Sequence, residues 1–210
     1  INDSEFDHHM SLVDLGKFFR LNTNEFKKTK FPYITCEKKL STKIKNSFEK
    51  KNQYIIGISW TSKNKEMGED KSIYLENLLP ILKLKNITFL DLEYENSEKE
   101  KQDICEKIGT KIYRISEIDY FNDILGVSSI INACDLIITC SNVNAHLSGA
   151  LGKQTFLLLP IGKGRLLNWS SINHESVWYP SIKIFQQTNP GNWSHPIEKV
   201  REEVLNCQTC

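Results

Sequence analysis

Ser141, Asn142 and His146 stand at a point in the chain where an anion can be held. They lie between two short apolar runs, residues 136–139 and 155–159, rich in β-formers and bounded by polar or turn residues, which predicts strands buried on both faces. Between them, residues 143–151 carry Ala145, Ser148, Gly149 and Ala150, small side chains that let a helix pack close to a sheet, and Gly152 is a natural terminator. The strand–helix–strand unit should cross over right-handed. Ser141, Asn142, Val143 and Asn144 then form the helix start, where side chains cap orphan N–H groups and the helix dipole favours negative charge. A phosphate-bearing ligand fits such a place. A capped turn that binds nothing is the plainer alternative, because every α/β fold contains such turns. His146, one turn in, would either hydrogen-bond the anion or serve packing.

Two further segments carry groups suited to a phosphate. Residues 60–72 form a long polar loop after an apolar run, and loops at that edge of a sheet are often functional. It contains Thr61 and Lys71; the lysine, placed at the start of the following helix, could reach a phosphate as a mobile point charge or simply be solvated. Gly162-Lys163-Gly164-Arg165 leaves another predicted strand, which puts Arg165 on a loop crossing the cleft. It lacks Walker spacing.

Composition bounds the rest. The chain has 210 residues and a formal net charge of +1, which suits one α/β domain with an attachment, or two small domains, and gives no global charge argument for nucleic acid. No apolar run approaches the roughly 20 residues that span a bilayer, and the first residues lack the pattern of a signal peptide, so the cytoplasm is the expected compartment. The first residue is Ile, which suggests a piece of a longer polypeptide. Cys36, Cys105, Cys134 and Cys140 are scattered and read as free thiols. Cys207 and Cys210 have CxxC spacing without the partners a zinc or redox site requires, and His8-His9 is at most half a metal site. No metal is expected.

The elements that must position these groups alternate. Residues 54–59, 87–92, 111–115, 136–139, 155–159 and 182–185 read as strands; residues 74–84, 97–108, 123–133, 143–151 and 195–205 read as helices. Leu40, Ile44 and Phe48 recur at helical spacing in a lysine-rich stretch, giving an amphipathic helix with a solvated basic face. This order implies an α/β, Rossmann-like three-layer sandwich with a mostly parallel sheet, ligands lying at the strands' carboxyl ends. The expected division is a connecting segment and helix over residues 1–50, a Rossmann-like domain over 51–206, and a tail over 207–210.

Residues 134–138, 145–153, 157–160 and the run Trp178-Tyr179-Pro180-Ser181 resemble the C-terminal half of GT-B glycosyltransferases, notably the bacterial tetratricopeptide-repeat-linked proteins similar to O-linked N-acetylglucosamine transferase and to heptosyltransferases. The resemblance implies inverting glycosyl transfer from a nucleotide sugar, a uridine diphosphate sugar or else ADP-heptose, without a cofactor or structural metal. It places the diphosphate on Lys71, Ser141, Asn142, Val143, Asn144 and His146, and the base beside residues 115–122, including Ser116, with Asp123 opening the next helix. Thr61 and Arg165 would be cleft contacts. Relatives commonly carry Asp-Thr where this chain has Ser141-Asn142, so a carboxylate role is gone while capping is kept. The general base is expected in a preceding domain. A protein or glycan acceptor is implied without being identified, and neither nucleic acid nor a membrane span is expected. The alternatives are a non-catalytic nucleotide-sugar-binding or scaffold module, and a sugar epimerase of the same fold.

Overall fold

A computed structural model describes residues 7–11, 14–49, 53–95, 98–166 and 169–208. The chain forms two compact units, residues 1–30 and 31–210. The first contains two short helices, α1 (Gly16–Phe19) and α2 (Thr23–Lys27), the latter capped by Asn22, whose side chain accepts from the Asn24 amide.

The second unit is built on one sheet. Its strands are β1 (Tyr54–Ser59), β2 (Ile87–Asp91), β3 (Ile112–Tyr113), β4 (Leu136–Cys140), β5 (Thr155–Leu159), β6 (Ser171–Ile172), β7 (Glu175–Ser176) and β8 (Ile182–Gln186). They lie in the order β3-β2-β1-β4-β5-β8-β7-β6. The first six in that order pair in parallel, and the short β6–β7 hairpin joins β8 antiparallel. The helices are α3 (Lys38–Glu49), α4 (Gly68–Lys71), α5 (Leu79–Leu82), α6 (Glu98–Ile108), α7 (Ile124–Ala133), α8 (Val143–Ala150) and α9 (Ser194–Gln208).

Neighbouring residues of one strand serve opposite cores, which explains why the central strands are predominantly apolar on both faces. Ile56 and Ile58 pack with Ile81, Ile104 and Val200 of α5, α6 and α9; Ile55 packs with Ile44, Val127 and Ile131 of α3 and α7. A third cluster joins Ala145 of α8 to Leu157, Leu159, Trp169, Ile182 and Ile184. The expected Rossmann-like, three-layer α/β fold is the one observed.

Several elements depart from the sequence expectation. The strand expected over 111–115 is only Ile112–Tyr113, because Arg114 turns to bond Asp91 and the Ile115 amide bonds the Tyr120 hydroxyl. The helix expected over 74–84 becomes a 3₁₀ turn (Leu75–Leu78) and then α5, with Pro80 in the first turn, where its missing N–H costs nothing. α9 runs on to Gln208 and so includes Cys207, placed in the tail by sequence. Cys210, Ser97 and Asn168 lie outside the described residues, while Cys36, Cys105, Cys134, Cys140 and Cys207 are free thiols. Lys71 does not start a long helix; it ends the single-turn α4.

Candidate functional site

The carboxyl ends of β1 and β4 meet at Asn142. Its Oδ1 accepts from the Asn144 amide at 3.0 Å, capping α8, and from the Thr139 hydroxyl at 3.1 Å. Its Nδ2 donates to Ser59 Oγ at 2.9 Å and to the Thr61 carbonyl at 3.0 Å, tying the 60–72 loop to the helix start. Asn144 is buried and donates to the Leu92 carbonyl, while the Val143 amide donates to the Tyr94 hydroxyl at 3.3 Å. The first amides of α8 therefore already have protein partners. Ser141 is buried and accepts from the Trp169 indole at 2.7 Å.

The loop carrying Lys71 is folded back on itself. Asn64 Oδ1 accepts from the Glu66 and Met67 amides, and Gly68 passes so close to the Ser62 carbonyl that a Cβ would lie 2.4 Å from its oxygen. Ser72 Oγ bridges the Gly68 carbonyl and the Ser62 amide, and the Ile73 amide closes the loop on Trp60. This geometry makes Lys71 only 3% exposed, and its ammonium has no hydrogen-bond or ion-pair partner among the described residues. The expectation of a solvated lysine at a helix start is corrected accordingly: the side chain is buried, and its ammonium has no counter-charge among the described residues.

His146 shares that environment. Its ring stacks on Trp169 with centroids 4.6 Å apart, and Nδ1 lies 3.1 Å from the Tyr179 hydroxyl. Burial, and then the positive charge of Lys71, push its pKa below the ordinary histidine value. The neutral imidazole is therefore favoured.

The remaining predicted residues divide. Thr61 follows β1 directly, and its amide and hydroxyl both donate to the Glu93 carboxylate. Asp123 caps α7 by accepting from the Gly126 amide at 2.8 Å, and exposed Ser116 bonds only its neighbour Glu117 among the contacts described for its side chain. Arg165 is exposed in the turn after β5, its amide bonded to the Gly162 carbonyl.

Sequence reasoning missed the carboxylates at the end of β2. Asp91 is fully buried between Lys101 at 2.7 Å and Arg114 at 2.8 Å, and also accepts from the Glu93 amide. Glu93, 4% exposed, accepts from the Trp60 and Thr61 amides, and burial raises its pKa. The signal was available: Asp91 and Glu93, two positions apart, close a predicted buried strand, where an unpaired acid would be costly. Among the described residues no group of three or more His, Cys, Asp or Glu is placed to hold a metal, and no helix is long and apolar enough to cross a membrane.

The fold has known counterparts. The chain is similar in fold to Escherichia coli ADP-heptose LPS heptosyltransferase II, with a TM-score of 0.56 and 15% identity over 84% of this chain and 53% of that one. A glycosyl transferase family 9 protein from Veillonella parvula gives 0.52 at 13% identity, covering 83% and 51%, and E. coli heptosyltransferase WaaC solved with ADP gives 0.50 at 8%, covering 73% and 44%. In sequence the chain is 30% identical over 122 residues to Protein FlbA of Caulobacter vibrioides, covering 58% of this chain and 20% of FlbA. No protein-family model matches. The chain thus spans about half the length of the solved glycosyltransferases and a fifth of FlbA.

Proposed function

We propose that this chain is the donor-binding half of a GT-B glycosyltransferase, holding a nucleoside-diphosphate sugar at the carboxyl ends of β1 and β4 for inverting transfer in the cytoplasm. The observation that carries the reading is Lys71, a buried residue whose ammonium has no partner among the described residues and whose charge acts on His146. A diphosphate would supply the missing negative charge. During transfer the leaving nucleoside diphosphate gains charge, so a cation fixed in advance stabilises the transition state more than the ground state. Thr61, Ser141 and Asn142 frame the pocket, with Arg165 at its rim and Ser116 and Asp123 toward the base. The acceptor and its general base belong to a domain outside this chain, as in the tetratricopeptide-repeat-linked proteins it resembles.

The ADP bound to one structural neighbour favours an adenosine diphosphate sugar over the uridine donor expected from sequence. Isothermal titration with ADP, UDP and GDP decides between them and tests the site: binding of one diphosphate well below millimolar is expected, and binding of none would refute it.

One observation favours a second reading, a binding module without turnover. The Val143 and Asn144 amides are occupied by Tyr94 and Asn142, and no carboxylate stands at 141–142. Donor hydrolysis by the full-length polypeptide separates the two.

A further inference from the structure

The single-turn helix α4 has no apolar side chain with which to anchor itself. Its residues are Gly68, Glu69, Asp70 and Lys71, and the buried ones are Gly68 and Lys71. So short a helix is not stable alone, because nucleation costs more than its few hydrogen bonds return. Burial of apolar surface cannot fix it either, so its place must come from close backbone contacts. One of these is the approach of Gly68 to the Ser62 carbonyl, supported by the Ser72 bridge. It ties α4 to its own loop and sets no direction for the Lys71 side chain.

The second contact comes from a distant part of the chain. The turn after β5 is exposed at Gly162, Lys163 and Arg165 and buried at Gly164. Gly164 has φ +94°, and a Cβ there would lie 2.9 Å from Asp70 Cβ, 3.5 Å from Lys71 Cγ and 3.5 Å from Pro160 Cγ. The backbone of the turn therefore rests on α4 and against the Lys71 stem. A side chain at 164 would have to move α4 or the turn, since Asp70 Cβ is the base of a side chain and cannot swing aside. Gly162 is the contrasting case: it too has a positive φ, +72°, yet a Cβ there would meet nothing within 4 Å. Conformation alone calls for glycine at 162, conformation and contact together at 164.

We propose that Gly164 is a positioning residue for Lys71: by letting the turn after β5 lie against α4, it closes over the lysine stem, keeps the side chain buried and fixes the course along which the ammonium meets a diphosphate. The last of these steps rests on the function proposed above; the first two do not. The clamp matters because a lysine stem is flexible. A cation free to sample its rotamers would lose that freedom on binding a phosphate, whereas one confined by the fold has lost it beforehand.

The test compares the whole chain with Gly164→Ala, Gly162→Ala, Asp70→Gly and the double variant Gly164→Ala/Asp70→Gly, in which the strained backbone is kept and the clashing Cβ is gone. Acylation by N-hydroxysuccinimidyl acetate, followed residue by residue by peptide mass spectrometry, reads the burial of Lys71 without any nucleotide, with exposed Lys65 of the same loop as internal reference. Lys71 should react far more slowly than Lys65 in the wild type and in Gly162→Ala, and several-fold faster in Gly164→Ala. In the Asp70→Gly background the same alanine should change nothing. Affinity for ADP should follow the same pattern, several-fold weaker in Gly164→Ala than in the wild type, with adenosine unaffected. The proposal is overturned if Lys71 is as reactive as Lys65 in the wild type, if Gly164→Ala leaves its rate unchanged, if Gly162→Ala raises it as much, or if the alanine acts equally in the Asp70→Gly background. Rates that follow the pattern while ADP affinity does not also overturn it. Absence of ADP binding by the wild type refutes the diphosphate site instead, and the acylation rates then still decide whether Gly164 holds Lys71.

Discussion

Tyr179 fills the space that a side chain at Gly149 would need: an ideal Cβ there would lie 2.4 Å from Tyr179 Cγ. This close approach brings the Tyr179 hydroxyl to His146, one turn earlier on α8. Gly149→Ala must displace the ring, since its near atoms belong to the base of the side chain. We expect a loss of about 1–3 kcal/mol, the usual range for overpacking, read as a lower denaturation midpoint at unchanged slope. Nucleotide affinity should fall with it.

Tyr179→Phe keeps the ring and removes only the hydroxyl. The expected stability loss is smaller, about 1 kcal/mol for one hydrogen bond. Its more specific effect is on His146, whose Nδ1 loses the hydrogen bond to the Tyr179 hydroxyl. The ¹⁵N shifts of the His146 ring should report one dominant tautomer in the wild type and a mixture in the variant; identical spectra would remove Tyr179 from the role.

The depressed pKa of His146 has a definite sign. The unfolded chain binds the proton more readily than the folded one, so this group's contribution to stability is complete above the ordinary histidine range. It is lost as pH falls from the unfolded value toward the folded one. A bound diphosphate reverses the local charge and favours the imidazolium. Nucleotide binding near pH 6 should therefore take up a proton, seen as a binding enthalpy that depends on the buffer's ionisation heat. His146→Asn should abolish the dependence.

Asn142→Ala removes the α8 cap and leaves the Thr61 carbonyl without its donor. Loss of such a cap costs about 0.5–2 kcal/mol, and the freed 60–72 loop should show faster amide exchange at Ile73, which closes it on Trp60. Unchanged exchange there would mean that Gly68 and Asn64 hold the loop unaided.

The central strands were legible because burial on both faces makes them runs of mostly apolar residues, and α8 because its small residues had to approach the sheet. Asn142 was legible as a cap from its type and place. The burial of Lys71 was not, because it follows from a loop closed by the Asn64 turn and the Gly68–Ser62 approach, contacts without periodicity. Glu93 escaped for a related reason: its partners, the amides of residues 60 and 61, come from the adjacent strand's end. The shortening of β3 depended on Arg114 finding Asp91, a pairing across strands that residue type alone does not announce.

The central claim is that Lys71, which has no partner among the described residues, is placed to meet a diphosphate. Lys71→Met keeps the side chain's length and removes its charge, and should fold with stability equal to or above the wild type. Titration of both proteins with ADP and with adenosine tests the claim most directly. The account predicts at least a tenfold weaker affinity for ADP in the variant, about 1.4 kcal/mol, with adenosine unaffected. Equal ADP affinity in the two proteins would contradict it.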